Sequence, residues 1–280
     1  PNFYIKFGFD TDECRRKEFT AETGIPAYER VSSAHCADVV VLAGGTDTRL
    51  ESLYDALELM GPSVILCEKP LAETSYELAE VENLLVRYET PVFLNYFRRA
   101  LPEFQKLKRA LIEGDYGDVK KCSVWYSKGI LNSASHFVDL VAWLTNYCEG
   151  HTDVRDARML YSGGDFCLSI NGVPCYFLVC EEKNFFLNTV EIITESARIR
   201  LDAAGRTIEV SEAKSRDANG LKALGSATDV VRVDFGSAQT LVARELERFL
   251  MDGSCELVAV REHVAVAECL IDLQNLVLEK

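Results

Sequence analysis

The first 95 residues alternate short apolar runs with amphipathic stretches. Phe3-Tyr4-Ile5-Lys6-Phe7-Gly8-Phe9 predicts a strand that stops at Asp10-Thr11-Asp12, and residues 13–23 predict a helix closed by Gly24 and Pro26. Asp38-Val39-Val40-Val41-Leu42-Ala43 is a continuous apolar run, the pattern of a parallel strand buried on both faces. Gly44-Gly45-Thr46 turns the chain into a helix near 48–60, and Ser63-Val64-Ile65-Leu66-Cys67 predicts a second buried strand ending at Glu68-Lys69-Pro70. Thr74 and Glu77 have capping-box spacing and open a helix reaching about Tyr88. Thr90-Pro91-Val92-Phe93-Leu94-Asn95 is the next strand.

Strands alternating with helices predict βαβ units and a doubly wound parallel sheet, whose ligands bind beyond the carboxyl ends of the strands. Asp10, Gly44–Thr46, Glu68–Pro70 and Asn95–Arg99 all fall at such ends and point to one crevice. After Pro102 the pattern changes. A helix from Glu103 to about Glu113 stops at Gly114, a strand runs through Ser123-Val124-Trp125-Tyr126, and a helix spans about Ala134 to Leu144. From Arg155 to Phe235 short strands are separated by Gly163-Gly164, Asn171-Gly172 and Ala203-Ala204-Gly205, a hairpin pattern predicting an antiparallel sheet. Two helices, about 237–251 and 259–279, complete an α+β unit. The division expected is a nucleotide-binding domain over 1–97 and a second domain over 98–280.

Composition removes several function classes. With 280 residues, 48% of them hydrophobic and 26% charged, the chain is globular. Its net charge of −14 opposes binding to a phosphate backbone and docking on an anionic membrane. No apolar run approaches the roughly 20 residues of a membrane span. The 10 cysteines lie mostly in apolar runs without CxxC or zinc-ligand spacing, which predicts reduced thiols in a cytoplasmic protein and no metal centre. A small anionic substrate stays open, because net charge says little about one cleft.

Glu68-Lys69-Pro70 is the sharpest local feature. A lysine at the carboxyl end of a buried strand faces the ligand crevice, and partial burial lowers its pKa toward proton-shuttling range; the alternative is a solvated lysine in a turn. In Ser135-His136-Phe137-Val138-Asp139-Leu140, His136 and Asp139 are three apart and share a helix face, as does Asn132 if the helix starts early. Such a group can hold a sugar hydroxyl and pass its proton; a helix-start histidine satisfied by its neighbours is the alternative. His35, His151 and His263 lack such a setting and read as surface or structural residues. Asp10 suits the ribose hydroxyls of an adenosine, favouring NAD over NADP, or is simply a turn residue; Arg15 and Arg16 leave an opening for a 2′-phosphate. Gly44 and Thr46 allow close approach of backbone to ligand. Arg98-Arg99 suit an anionic substrate group, or form a solvated pair between domains. Cys67 reads as packing, since no histidine stands beside it.

Taken in order, these segments resemble the Gfo/Idh/MocA family of oxidoreductases. The matching pieces are Phe9-Asp10-Thr11-Asp12, Thr23-Gly24-Ile25-Pro26-Ala27-Tyr28, Asp38–Leu42, Val64–Leu71, Asn95–Arg99, Pro102, Gly114-Asp115-Tyr116-Gly117 and Ser135–Leu140. The resemblance implies a Rossmann-type doubly wound sheet followed by an α+β domain with an open, mostly antiparallel sheet. It implies hydride transfer between a nicotinamide cofactor and a hydroxyl carbon of a sugar, cyclitol or nucleotide-sugar. Lys69 matches the family's proton-transfer lysine and His136 its second acid/base or substrate-orienting residue, with Asp139 supporting that histidine. Asp10, Gly44, Thr46, Glu68, Lys69 and Pro70 would hold NAD; Asn95, Arg98, Arg99, Tyr126, Asn132 and His136 would meet the substrate. A homodimer or homotetramer through the second-domain sheet is the implied assembly.

Two departures qualify the match. Asn132 stands where many members carry an aspartate, so it positions rather than acts as base. The short stretch from Tyr126 to His136 looks like members of surface-polysaccharide and nucleotide-sugar pathways. At the front, the chain enters at Pro1 directly upon the strand ending at Asp10, normally the second, and no GxGxxG turn precedes it. The sheet is therefore expected to be N-terminally incomplete, short of a first βα unit of roughly 30 residues, and poor at binding NAD as written. A non-catalytic member serving as a binding or scaffold subunit, and an NAD-using lyase or hydrolase on the same fold, are the alternatives.

Overall fold

The computed structural model describes residues 2–146, 152–161, 163–216, 222–227 and 229–278; His151 and Cys148 lie outside them. In chain order the elements begin β1 (Gly8–Phe9), α1 (Glu13–Thr23), β2 (Ala27–Tyr28), β3 (Val39–Leu42), α2 (Arg49–Asp55), β4 (Val64–Cys67), α3 (Ser75–Arg87) and β5 (Val92–Leu94). There follow α4 (Pro102–Glu113), β6 (Val119–Tyr126), α5 (Ser135–Leu144), β7 (Val154–Met159), β8 (Phe166–Ile170), β9 (Val173–Val179), β10 (Thr189–Thr194) and β11 (Ala197–Asp202). The last are β12 (Thr207–Arg216), β13 (Lys222–Leu224), β14 (Asp229–Arg232), α6 (Ala238–Asp252), β15 (Val258–Ala259) and α7 (Val260–Leu278).

Strands β3, β4 and β5 pair in parallel, and β15 adds antiparallel to β5, giving the order β15-β5-β4-β3. All four residues of β4 are buried because alternate side chains enter different cores. Ile65 and Cys67 join a cluster with residues of α2, α3 and α7, while Val64 and Leu66 face Val242 and Leu246 of α6. The chain thus returns to its first sheet at 258–259, so elements of the 98–280 stretch complete the nucleotide-type core. The capping box at Thr74 is present, with Glu77 N donating to Thr74 Oγ1 and Glu77 Oε2 accepting from Thr74 N.

Two strand expectations need correction. The run 3–9 is a strand only at Gly8–Phe9, paired in parallel with β2 in a separate two-stranded sheet. The run 38–43 is not buried on both faces: no residue of β3 is fully buried and Val41 is 55% exposed. Both follow from pairing. The edge of β3 away from β4 carries no described partner, and α1, with no buried residue, adds no cover.

The larger sheet runs β13-β12-β11-β10-β6-β9-β8-β7, with β14 also on β12; it is antiparallel except for the β6–β9 pair. Its inner face packs on α4, α5 and α7. Helix α5 is apolar nearly all round, and every residue of it except His136 is buried, as befits a helix enclosed on all sides. It is preceded by one wide helical turn, Ile130–Ala134.

Candidate functional site

The carboxyl end of β4 and the entrance to α5 meet across the seam between the two sheets. Lys69 Nζ donates to Asn132 O (2.7 Å) and to Asn132 Oδ1 (3.0 Å). Burial lowers the Lys69 pKa, Glu68 opposes that shift, and Arg49 and Arg98 reinforce it. The Lys69–Pro70 peptide is cis. A cavity of about 250 Å³ opens here, lined by Lys69, Arg98, Lys128, Asn132, Ser133, His136, Phe137, Phe186, Asn188 and Ala204. It is close to the lower end of ligand-site volumes, about 300 Å³.

His136 turns toward this space from α5, beside Phe137, and is set edge-on to the Tyr96 and Phe97 rings at 5.6 and 6.2 Å. Burial, with the fields of Arg98 and Lys69, pushes its pKa down to about 3, so it is neutral at physiological pH. Its Nδ1 is buried and has no hydrogen-bond partner among the described residues. Asp139 is buried one turn on, but it does not support His136. Arg99 holds it bidentately, Nε to Oδ2 at 3.0 Å and Nη2 to Oδ1 at 2.7 Å, and His263 Nδ1 lies 3.8 Å from Oδ1. The physical reason is charge: a carboxyl in the middle of an enclosed helix needs a cation, and a neutral imidazole is no substitute.

The same pairing withdraws Arg99 from substrate binding. Arg98 is also buried, with Nε and Nη2 both donating to Ala204 O at 3.0 and 2.8 Å, and it lines the cavity. Tyr126 does not reach the cavity: it is fully buried in the second core and donates to Gly164 O at 2.6 Å. Asn95 is buried at the end of β5, its Nδ2 donating to Glu68 Oε1 (2.6 Å) and Gln239 Oε1 (3.1 Å). Asp10 lies on the small sheet, where its Oδ1 accepts from Asp12 N (2.8 Å) and Arg15 Nη1 stands 3.8 Å from Oδ2. Cys67 is packing: burial pushes its thiol up to about 12.

Several participants escaped the reading of the sequence. Arg49, buried at the start of α2, donates to Gly44 O at 3.0 Å and to Pro70 O, tying two strand-end turns together. An arginine directly following the turn at Gly44–Thr48 was the available signal. His263 was expected at the surface or in a structural place, and it is the latter, 3.2 Å from the Tyr96 hydroxyl through Nε2. Lys128, Phe186 and Asn188 come from loops whose approach no periodicity foretells.

At the ends of β4 and β5 the crevice offers a nicotinamide cofactor one buried acceptor with no partner among the described residues, Asn95 Oδ1. At the pyrophosphate end, no Gly-rich strand-to-helix turn lies between β1 and β3 among the described residues.

No protein-family model matches the chain. It is 26% identical over 160 residues to the rhizopine catabolism protein MocA of Rhizobium meliloti, a match spanning 51% of this chain and 50% of that protein. The UDP-N-acetylglucosamine 3-dehydrogenase GnnA from Acidithiobacillus ferrooxidans superposes with a TM-score of 0.73 at 18% identity, over 97% of this chain and 90% of that one. The chain shares the fold of these dehydrogenases. The WlbA dehydrogenase of Chromobacterium violaceum, solved with NADH and UDP-GlcNAcA, has the same fold at a TM-score of 0.69 and 17% identity, over 98% and 86% of the two chains. That dehydrogenase fold accounts for both sheets and for the seam whose cavity Lys69 and His136 both line. No helix among the described residues is long and apolar enough to cross a membrane.

Proposed function

We propose that this chain is a nicotinamide-dependent oxidoreductase acting on a hydroxyl carbon of a sugar, cyclitol or nucleotide-sugar, with NAD preferred over NADP. The observation that carries this reading is Lys69: an amine of lowered pKa, fixed by Asn132 at the end of β4, beside a neutral histidine in a sugar-sized cavity. The nicotinamide, when bound, supplies the hydride acceptor or donor. Gly44, Thr46, Glu68, Lys69, Pro70 and Asn95 would hold that end of it, and Asp10 the adenosine ribose.

In the direction of oxidation, Lys69 takes the hydroxyl proton as the carbon loses its hydride. Two Lys69 N–H groups point at Asn132, which leaves the third position for the substrate oxygen. With a pKa near 3, His136 orients the hydroxyl as a neutral hydrogen-bonding group and carries no net charge into the step. Asn132 positions Lys69, in keeping with an amide that cannot act as base. Residues 1–97 and 98–280 form the cofactor and substrate portions, the second lending β15 and α7 to the first. Assembly through the open sheet is supported by Trp125 and Ile193, 42% and 37% exposed on adjacent strands β6 and β10, and a cytoplasmic setting by the free cysteines.

The test is reduction of NAD, followed by absorbance, against a panel of sugars, cyclitols and nucleotide-sugars. Lys69→Ala is expected to lower kcat by about 10²–10⁴-fold. Turnover undiminished in that variant would remove the assigned mechanism, and the absence of nicotinamide binding by calorimetry would remove the reading.

A further inference from the structure

Arg98 is a buried guanidinium without a carboxylate. It is 7% exposed, its Nε and Nη2 are spent on one backbone carbonyl, and the rings of Phe97, Phe137 and Phe235 stand 4.7–5.4 Å from its Cζ. Asp139, the acid whose field reaches it, is already held by Arg99. Burial and the nearby Arg206 pull its pKa down to about 10, which still leaves it charged. A charge this enclosed calls for a counter-charge, and its Nη1 has no acceptor among the described residues.

The wall that Arg98 shares supplies no such counter-charge. Among the described residues the cavity carries Lys69 and Lys128 in addition and no aspartate or glutamate, in a chain whose net charge is −14. Lys128 stands at the open rim, its Nζ 4.1 Å from the centre of the Phe186 ring, with no acceptor among the described residues. Its backbone lies in the left-handed region, φ 69°, which a lysine seldom adopts. Opposite, Ala203 and Ala204 are left-handed too, at φ 48° and 61°, and this turn presents the Ala204 carbonyl to Arg98. Strain of this kind concentrates at ligand sites. The arrangement is a positive lining that Arg98 and Lys128 share with the proton-accepting Lys69.

We propose that the substrate carries an anionic group, a carboxylate or a phosphate ester, seated between Arg98 Nη1 and Lys128 while its reacting hydroxyl faces Lys69. This rests on the oxidoreductase reading for the role of Lys69 but not for the binding itself. The substrate class is accordingly an acidic sugar, such as a uronic acid or a sugar phosphate.

The test is calorimetric titration of the full chain with glucuronate, glucose 6-phosphate and glucose, with and without NAD. At least one anionic sugar should bind about tenfold or more tightly than glucose, and added salt should shrink that preference. Lys128→Met should reduce it severalfold, and Lys128→Arg should keep it. Arg98→Gln, checked for folding by circular dichroism, should abolish it; if that variant does not fold, the Lys128 pair decides. The two anionic arms tell a carboxylate site from a phosphate site. Equal or tighter binding of glucose, no binding of either anionic sugar, or a preference untouched by Lys128→Met would overturn the proposal. Anion-selective binding without turnover on any hydroxyl would leave it standing and defeat the oxidoreductase reading instead.

Discussion

Replacing Arg99 by methionine should cost more than any substitution at the cavity rim, and the reason lies in the surroundings of Asp139. The two side chains are 9% and 2% exposed and joined by two hydrogen bonds; His263 Nδ1 lies 3.8 Å from that carboxylate, and the field of Arg98 reaches it as well. Breaking such a pair by removing one partner leaves a buried charge uncompensated, at about 3–5 kcal/mol. A chain of this size loses about 2–4 °C per kcal/mol, so the melting temperature should fall by about 10 °C. Exchanging both partners, Arg99→Met with Asp139→Leu, restores an uncharged interior and should be less destabilising than Arg99→Met alone. The pH dependence has a definite sign. Burial holds the Asp139 carboxyl above its usual 3.8 and Arg99 pulls it back. Without Arg99 the native state holds that proton to higher pH than the unfolded chain does. The variant's deficit is therefore smallest in acid and grows as pH rises through the raised value. Urea denaturation of the two singles and the double across pH is the assay. A loss under about 1 kcal/mol for Arg99→Met, or a double mutant equal to the sum of its singles, would refute the buried-charge argument.

Other outcomes follow from the same geometry. His136 and His263 are both held down to about 3 from 6.5, so stability present above 6.5 should drain away as pH falls toward 3. Each contributes about 1.4 kcal/mol per pH unit in that window. His263→Gln should lower the slope of urea stability against pH by one proton; an unchanged slope contradicts the assignment. Arg49→Met strips donors from two strand-end carbonyls and should cost about 1–3 kcal/mol with weaker NAD binding, read by urea unfolding and calorimetry. Arg49→Lys should fail to restore both contacts, since one ammonium does not reproduce the fork. Tyr126→Phe should lose about 1 kcal/mol and leave KM unchanged, because its hydroxyl serves Gly164 and not the cavity.

What could be read from the sequence was whatever local chemistry controls. The capping box at Thr74, the stop at Gly114 with its φ of 79°, and the all-apolar β4 were legible because each depends on a few neighbouring residues. The places of Lys69 and Asn132 in the fold were legible too, one from the strand-end rule and the other from helical spacing. The failures occurred where long-range pairing decides. Asp139 was assigned to His136 because they sit three apart, but Arg99, 40 residues earlier, holds the stronger claim through charge. Tyr126 was placed with the substrate by the resemblance, and its burial under Gly164 depends on a hairpin turn 38 residues on. The apolar run at 38–43 looked buried, yet burial of a strand needs neighbours on both edges, and β3 has one.

These pairings give the site a particular architecture. Lys69 belongs to one sheet and Asn132 to the turn before α5; Arg99 belongs to the first sheet's strand-end turn and Asp139 to α5 itself. Two independent links therefore fix α5 against the end of β4 and β5, one at the surface of the cavity and one in the interior. The interior link carries the strength, because a buried bidentate pair is worth more than an amine on an exposed amide. Its position matters more than its strength. Asp139 lies one turn below His136 on a helix that cannot slide without unburying nine of its ten residues. The arginine that holds Asp139 directly follows Arg98 in the chain, so the clamp also sets where the unpaired guanidinium faces the cavity. Loosening Arg99 should then blur proton transfer and anion selectivity together. Loosening β1 and α1, whose helix buries nothing, should disturb neither.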